Sequence, residues 1–109
     1  MKLMIAGSRS ITNFDLAPHI PENTTLIITG GAKGIDTLAE QYADNHNIPK
    51  LIIRPEYKRY GRAAPILRNK TMVEHADTVL VIWDGKSKGT LSTVNYAKEL
   101  GKDLIIINV

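Results

Sequence analysis

The sequence predicts an α/β three-layer sandwich, with a five-stranded parallel sheet of order 3-2-1-4-5 covered on both faces. Three observations predict it. Short apolar runs alternate with stretches of helical period along the whole chain, the pattern of βαβ units. The runs are near-continuous Ile, Leu and Val rather than alternating, as strands buried on both faces require. Three of the runs end in glycine-containing turns. Right-handed crossovers leave few strand orders. The order 3-2-1-4-5 puts a topological switch point between the first and fourth strands, where such sheets bind ligands.

The elements follow in order. Lys2 to Ala6 reads as a buried first strand, and Asn13 to Ile20 as a weak helical segment limited by Pro18. Thr25 to Thr29 is the second strand. Ile35, Leu38, Ala39, Tyr42 and Ala43 recur at helical spacing and predict an amphipathic helix. Leu51 to Arg54 is the third strand, and Pro55 to Ala64 is an irregular stretch rich in basic and aromatic residues. Ile66, Met72, Val73 and Ala76 predict a further helix, and Thr78 to Trp83 the fourth strand. Leu91, Val94, Ala97 and Leu100 share one helical face, with Gly101 placed to end that helix. Leu104 to Val109 closes the sheet.

The 109 residues suit one domain spanning positions 1–109. With no cysteine there is neither a disulfide framework nor a thiolate metal site, which fits a reducing compartment. The apolar run Met1 to Ala6 stops too soon for a signal core or a membrane span, so a cytoplasmic location and no membrane partner are expected. The formal charge of +3 suits an anionic partner, but dedicated DNA binders carry a denser basic stripe. The longest basic cluster is Lys58-Arg59-Tyr60-Gly61-Arg62. A small core is compatible with a homodimer, although no interface is legible.

Chemistry is expected at the three turns: Gly7-Ser8-Arg9-Ser10, Gly30-Gly31-Ala32-Lys33-Gly34-Ile35-Asp36, and Asp84-Gly85-Lys86-Ser87-Lys88-Gly89-Thr90. In a parallel sheet all strand C-termini lie on one edge, so these turns should converge. Each has glycines that admit close backbone approach and a cationic side chain. The second and third lead into helices, whose N-termini favour phosphate. The expected site is an anion cradle of main-chain amides with Arg9, Lys33 and hydroxyls. It is neither the dinucleotide fingerprint nor a Walker A loop. Asp36 is read as a helix-start residue or as a partner for a ribose hydroxyl or for Arg9. Asp84 is read as a turn former or a polar contact, and Trp83 as core. In the stretch Arg68-Asn69-Lys70, Arg68 is expected to point into the crevice. His19, His46 and His75 are read as surface residues, and neither a metal nor a cofactor is expected.

Taken together, Gly7-Ser8-Arg9, Gly30 to Asp36, Tyr60-Gly61-Arg62-Ala63-Ala64, Arg68-Asn69, and Trp83-Asp84-Gly85 through Ser87-Lys88-Gly89-Thr90 resemble the YspA-type branch of the SLOG superfamily. That resemblance implies a Rossmann-like fold and binding of nucleotides, nucleotide derivatives or nucleic acid at the glycine-rich edge. The superfamily includes DprA and the LOG phosphoribohydrolases. Two departures bear on function. Lys33 stands where DprA-like proteins usually have arginine, keeping the charge but losing the planar fork. Arg68 and Asp77 match the spacing of an arginine–aspartate pair in LOG-type enzymes, but Thr93 follows Gly89-Thr90-Leu91-Ser92 where those enzymes carry a catalytic glutamate. Pro65 also replaces a glycine common in the YspA branch.

Three functions compete on these grounds. The first is a binding or sensor domain for a nucleotide-derived ligand, held by Gly7, Ser8, Arg9, Gly30, Gly31, Lys33, Gly34, Asp36, Arg68, Asn69, Asp84, Gly85, Ser87, Gly89 and Thr90. The second is an N-glycosidic or phosphoribosyl hydrolase, with Arg68, Asp84 and Asp36, and more remotely Glu56, as catalytic candidates. The third is single-stranded nucleic-acid binding in which Lys58, Arg59, Tyr60 and Arg62 track a backbone and stack a base.

Overall fold

The structure, a computed structural model, describes residues 1–109. Five strands form one all-parallel sheet in the order 3-2-1-4-5: β1 (Lys2–Gly7), β2 (Leu26–Thr29), β3 (Lys50–Ile52), β4 (Thr78–Trp83) and β5 (Asp103–Asn108). Three longer helices cover it: α1 (Ile35–Asn45), α3 (Ala64–His75) and α4 (Lys88–Glu99). Between β3 and α3 lies a single turn, α2 (Tyr57–Tyr60).

Alternation of side chains along each strand divides the core in two. Met4, Ala6, Ile28, Val79 and Val81 face α3 and α4, meeting Met72, Val73, Val94 and Ala97. Leu3, Ile5, Ile27, Leu80 and Ile82 face the other way, onto Ile35, Ala39 and Ala43 of α1 and onto Leu16. Every residue of this second group is buried. The inner strands β1, β2 and β4 therefore need no polar face, which is why their sequences do not alternate, whereas the edge strands β3 and β5 keep Leu51 and Ile105 exposed.

The connection from β1 to β2 departs from expectation. Instead of a helix over Asn13 to Ile20 there is one 3-10 turn, Ala17–His19. Asp15 accepts the amide hydrogen of Ala17 at 3.2 Å, offering the backbone a local alternative to a helix, and Pro18 has no amide to donate. Leu16 is buried, and Ile11, Phe14 and Ile20 pack around it as an irregular strap. The stretch after β3 is more ordered than expected, since α2 is followed by a 3-10 turn, Gly61–Ala63. Pro65 sits in the first turn of α3, where its missing N–H costs nothing. Gly101, at φ +66°, ends α4 as the sequence suggests.

Register places the chemistry. Gly7 is paired with Ile82, so the turns after β1 and β4 leave the sheet side by side. The turn after β2 adjoins the first on its other flank.

Candidate functional site

The first and third turns are tied to each other by their own polar groups. Ser8 is buried, and its Oγ accepts the amide hydrogen of Asp84 at 3.1 Å. Ser10 Oγ donates to Asp84 Oδ2 at 3.3 Å. The other carboxylate oxygen of Asp84 accepts the amides of Lys86 at 2.8 Å and Ser87 at 3.0 Å. Those two amide bonds hold the Asp84 carboxyl below the usual carboxylate range. Asp84 thus shapes the third turn as an anion. Ser87 then caps α4, with its Oγ accepting from Thr90 N at 3.3 Å and from Thr90 Oγ1 at 3.0 Å. The Trp83 indole donates to Ser87 O at 3.1 Å, and its ring packs on the core face of α3 and α4.

Gly34 joins the second turn to the first. Its φ is +73°, and a Cβ there would stand 2.5 Å from the carbonyl oxygen of Arg9 and 2.6 Å from that of Ser8. Gly30 admits a different neighbour, the Arg68 guanidinium, whose Nη1 donates to Gly30 O at 2.8 Å. The space beside Gly7 is taken by Ile35 and Ile82, and that beside Gly31 by Arg54. These four glycines are therefore closely approached by the protein itself. Of the six glycines in these turns assigned to the ligand, only Gly85 and Gly89 have open space beside them.

A cleft of about 410 Å³ opens where the turns meet. Gly7, Ser8 and Arg9 of the first turn line it, as do Asp36 of α1 and Arg68 and Asn69 of α3. Asp84, Ser87, Gly89 and Thr90 complete the side beneath α4, with Thr93 on the wall behind. Gly30, Gly31 and Lys33 line an adjoining hollow of about 620 Å³ that shares Arg9, Ala32 and Arg68 with the cleft. Gly34 and Gly85 line neither and serve the backbone of their turns.

Charge at this edge is uneven. Asp36 is 7% exposed, and burial pushes its carboxyl above the usual range. The amide of Ala32, which donates to it at 3.1 Å, and the Arg68 guanidinium offset that only in part. The fully buried Thr29 hydroxyl lies near this carboxyl and lowers its pKa a little, without a complete hydrogen bond to it. Arg68 is half-buried; desolvation lowers its pKa, Asp36 raises it, and repulsion from Arg9 lowers it again. Nε of Arg68 donates to Asn69 Oδ1 at 2.9 Å, and Asn69 Nδ2 donates to Gly89 O at 3.2 Å, which locks the arginine to the start of α4. Neither Arg9 nor Arg68 is in an ion pair, since those formed are Lys50 with Glu40 and Asp44, and Arg59 with Glu56. The amides of Arg9 and Ser10 make no hydrogen bond within the protein.

Other residues lie elsewhere. Glu56 is exposed beside Arg59 and outside the cleft, which removes it from the catalytic candidates. Lys58, Arg59 and Tyr60 sit on α2 and Arg62 just after it, all exposed and away from the cleft. His46 stacks on Tyr42 and His75 is exposed, but His19 is half-buried against Phe14 rather than a free surface residue. Arg54 and Tyr57, which flank the adjoining hollow, were not singled out by the sequence reasoning. The rule that placed the other turns would have found Arg54, since it follows β3 on the same edge.

Comparison with known proteins gives three findings. The family model described as YspA, cpYpsA-related SLOG family matches residues 1–60. The Gene 61 protein of Mycobacterium phage D29 is 30% identical over 86 residues, covering 73% of this chain and 69% of that protein. The X-ray structure of DNA processing protein A (DprA) from Streptococcus pneumoniae superposes with a TM-score of 0.75 at 20% identity, covering 99% of this chain. The chain spans 50% of the length of that DprA chain, and the likeness is one of fold.

Proposed function

This chain belongs to the YspA, cpYpsA-related SLOG family, and from that premise and the charge of its cleft we propose that it binds a nucleotide or nucleotide-derived ligand through phosphate at the C-terminal edge of the sheet. The observation that carries this reading is the pair Arg9 and Arg68. They repel each other at the cleft, and neither has a carboxylate in ion-pair contact. An anion between them turns that repulsion into two attractions. The unbonded amides of Arg9 and Ser10 and the N-terminus of α4 add donors on the same side. Asp36 and Asn69 supply polar contacts for a sugar. The reading is one of binding without turnover. Asp84 has its oxygens engaged as a turn former, and Thr93 offers no carboxylate.

Isothermal titration calorimetry with a panel of nucleotides and nucleotide sugars tests the proposal. At least one should bind and be recovered unchanged, and Arg68→Gln should weaken it by about tenfold or more, the loss of a charge-assisted hydrogen bond. If the folded protein binds no member of a broad panel, the reading fails.

A second reading is favoured by Asp36. A carboxyl whose pKa is pushed up by burial at a cleft wall is suited to hold and donate a proton, as cleavage of an N-glycosidic bond needs. Chromatography of nucleoside monophosphates after incubation would then show free base, lost in Asp36→Asn. Absence of base release from any of them eliminates this reading.

A further inference from the structure

We propose that the hollow beside the cleft is a second anion subsite, so that the ligand carries more than one phosphate group, as a linear dinucleotide does. This rests on the cleft reading above and extends it. Four cationic side chains line the hollow, Arg9, Lys33, Arg54 and Arg68, and no carboxylate does. None of the four is in an ion pair. The buried Asp36 offsets part of the charge of Arg68 alone, so the gathered like charges still raise the energy of the empty site, and an anion relieves it.

Two of the cations are fixed in place. The consecutive carbonyls of Gly30 and Gly31 accept from Arg68 Nη1 at 2.8 Å and from Arg54 Nη1 at 3.2 Å. Both guanidinium groups lie against glycine backbone, and a Cβ at either position would come within 2.5–2.6 Å of a guanidinium nitrogen. The Gly30-Gly31 pair thus seats two arginines in neighbouring positions. Each bond to a carbonyl uses one donor of a five-donor group, leaving others for a phosphate.

Arg9 and Arg68 also line the cleft, so the two spaces are continuous across them. Tyr57 borders the hollow and is 57% exposed, which leaves a ring face open for stacking a base. Free amides and the start of α4 on one side of the shared arginine pair, and Lys33 and Arg54 with an aromatic face on the other, fit two phosphates better than one.

The test is calorimetry with adenosine 5′-monophosphate, the linear dinucleotide 5′-pApA and adenosine 5′-triphosphate, on the parent chain and on Arg54→Gln and Lys33→Gln. Both substituted residues are exposed, and circular dichroism checks that each variant is folded. The dinucleotide should bind at least tenfold more tightly than the monophosphate. Either variant should remove most of that gain, and Arg54→Gln should leave the monophosphate within twofold. Binding of 5′-pApA alone, lost in Arg54→Gln, also supports the subsite. An equal gain with the triphosphate, again removed by Arg54→Gln, supports the second anion subsite and assigns it to a polyphosphate tail. If the monophosphate binds but neither longer ligand gains, or the gain survives both variants, the inference is wrong and the cleft reading stands. If none of the three binds, the inference falls, and the cleft reading is decided by the broad panel.

Discussion

Gly34 and Gly85 both have positive φ, but only one of them is enclosed. At Gly34 a methyl group would collide with two carbonyl oxygens of the first turn, whereas at Gly85 it would meet open space. Gly34→Ala should therefore cost about 2 kcal/mol or more, adding a steric clash to the left-handed backbone. Gly85→Ala should cost about 1 kcal/mol from the backbone alone. Urea denaturation of the two variants checks this, and equal losses would mean that the contact between turns is not tight. Asp36 and Asp84 act in opposite senses with pH. Asp36 has its pKa raised by burial, so the folded state binds its proton more readily than the unfolded chain does. Its charge lowers stability at neutral pH, and that penalty fades as pH falls through the raised pKa. Asp36→Asn should be more stable than the parent at neutral pH, with the difference closing in acid. Asp84 has its pKa lowered by the amides of Lys86 and Ser87, so its contribution is complete above the ordinary carboxylate pKa and is lost as pH falls through the folded value. The sequence marked both carboxylates and the glycines as features of the edge. It carried no sign of which neighbour fills each glycine's space, because that depends on Arg54 and Arg68 arriving from 23 and 38 residues away.

Among the elements, α4 owes its start to Ser87, whose hydroxyl accepts from both the amide and the hydroxyl of Thr90. Ser87→Ala should destabilise the protein by about 1 kcal/mol, the usual loss of an N-cap, and should fray the end of α4 that borders the cleft. Amide hydrogen exchange should then quicken at the first turn of α4 and not in α1. The inner strands were legible because burial on both faces leaves a run of Ile, Leu and Val that little else explains. The connection between β1 and β2 was not. Asn13 to Ile20 reads as a weak helical segment, but Asp15 and Pro18 direct the backbone into a strap, and packing on the sheet supplies the burial a helix would have provided. The short turn α2 was missed for a related reason. Its residues Tyr57 to Tyr60 are all exposed, so no apolar period marks it.

For the whole molecule, the order 3-2-1-4-5 is what gathers residues separated by more than 80 positions in sequence onto one edge. The strand order was legible from handedness and connection rules. The division of the edge into a cleft and a second hollow was not, since it depends on where the Arg68 side chain lies between them. Cations dominate that edge, and any anionic ligand it takes should bind more weakly as salt rises. Titrations at low and at high ionic strength should show this fall, and salt-independent affinity would place the binding energy outside the arginines. The most direct measurement is a two-dimensional 1H–15N NMR titration with adenosine 5′-monophosphate. The amides of Arg9 and Ser10 and the side-chain Nε–H of Arg68 should shift together and saturate at a common ligand concentration. Shifts confined to α2 or to β5, or none in a folded protein at high ligand concentration, would contradict the account.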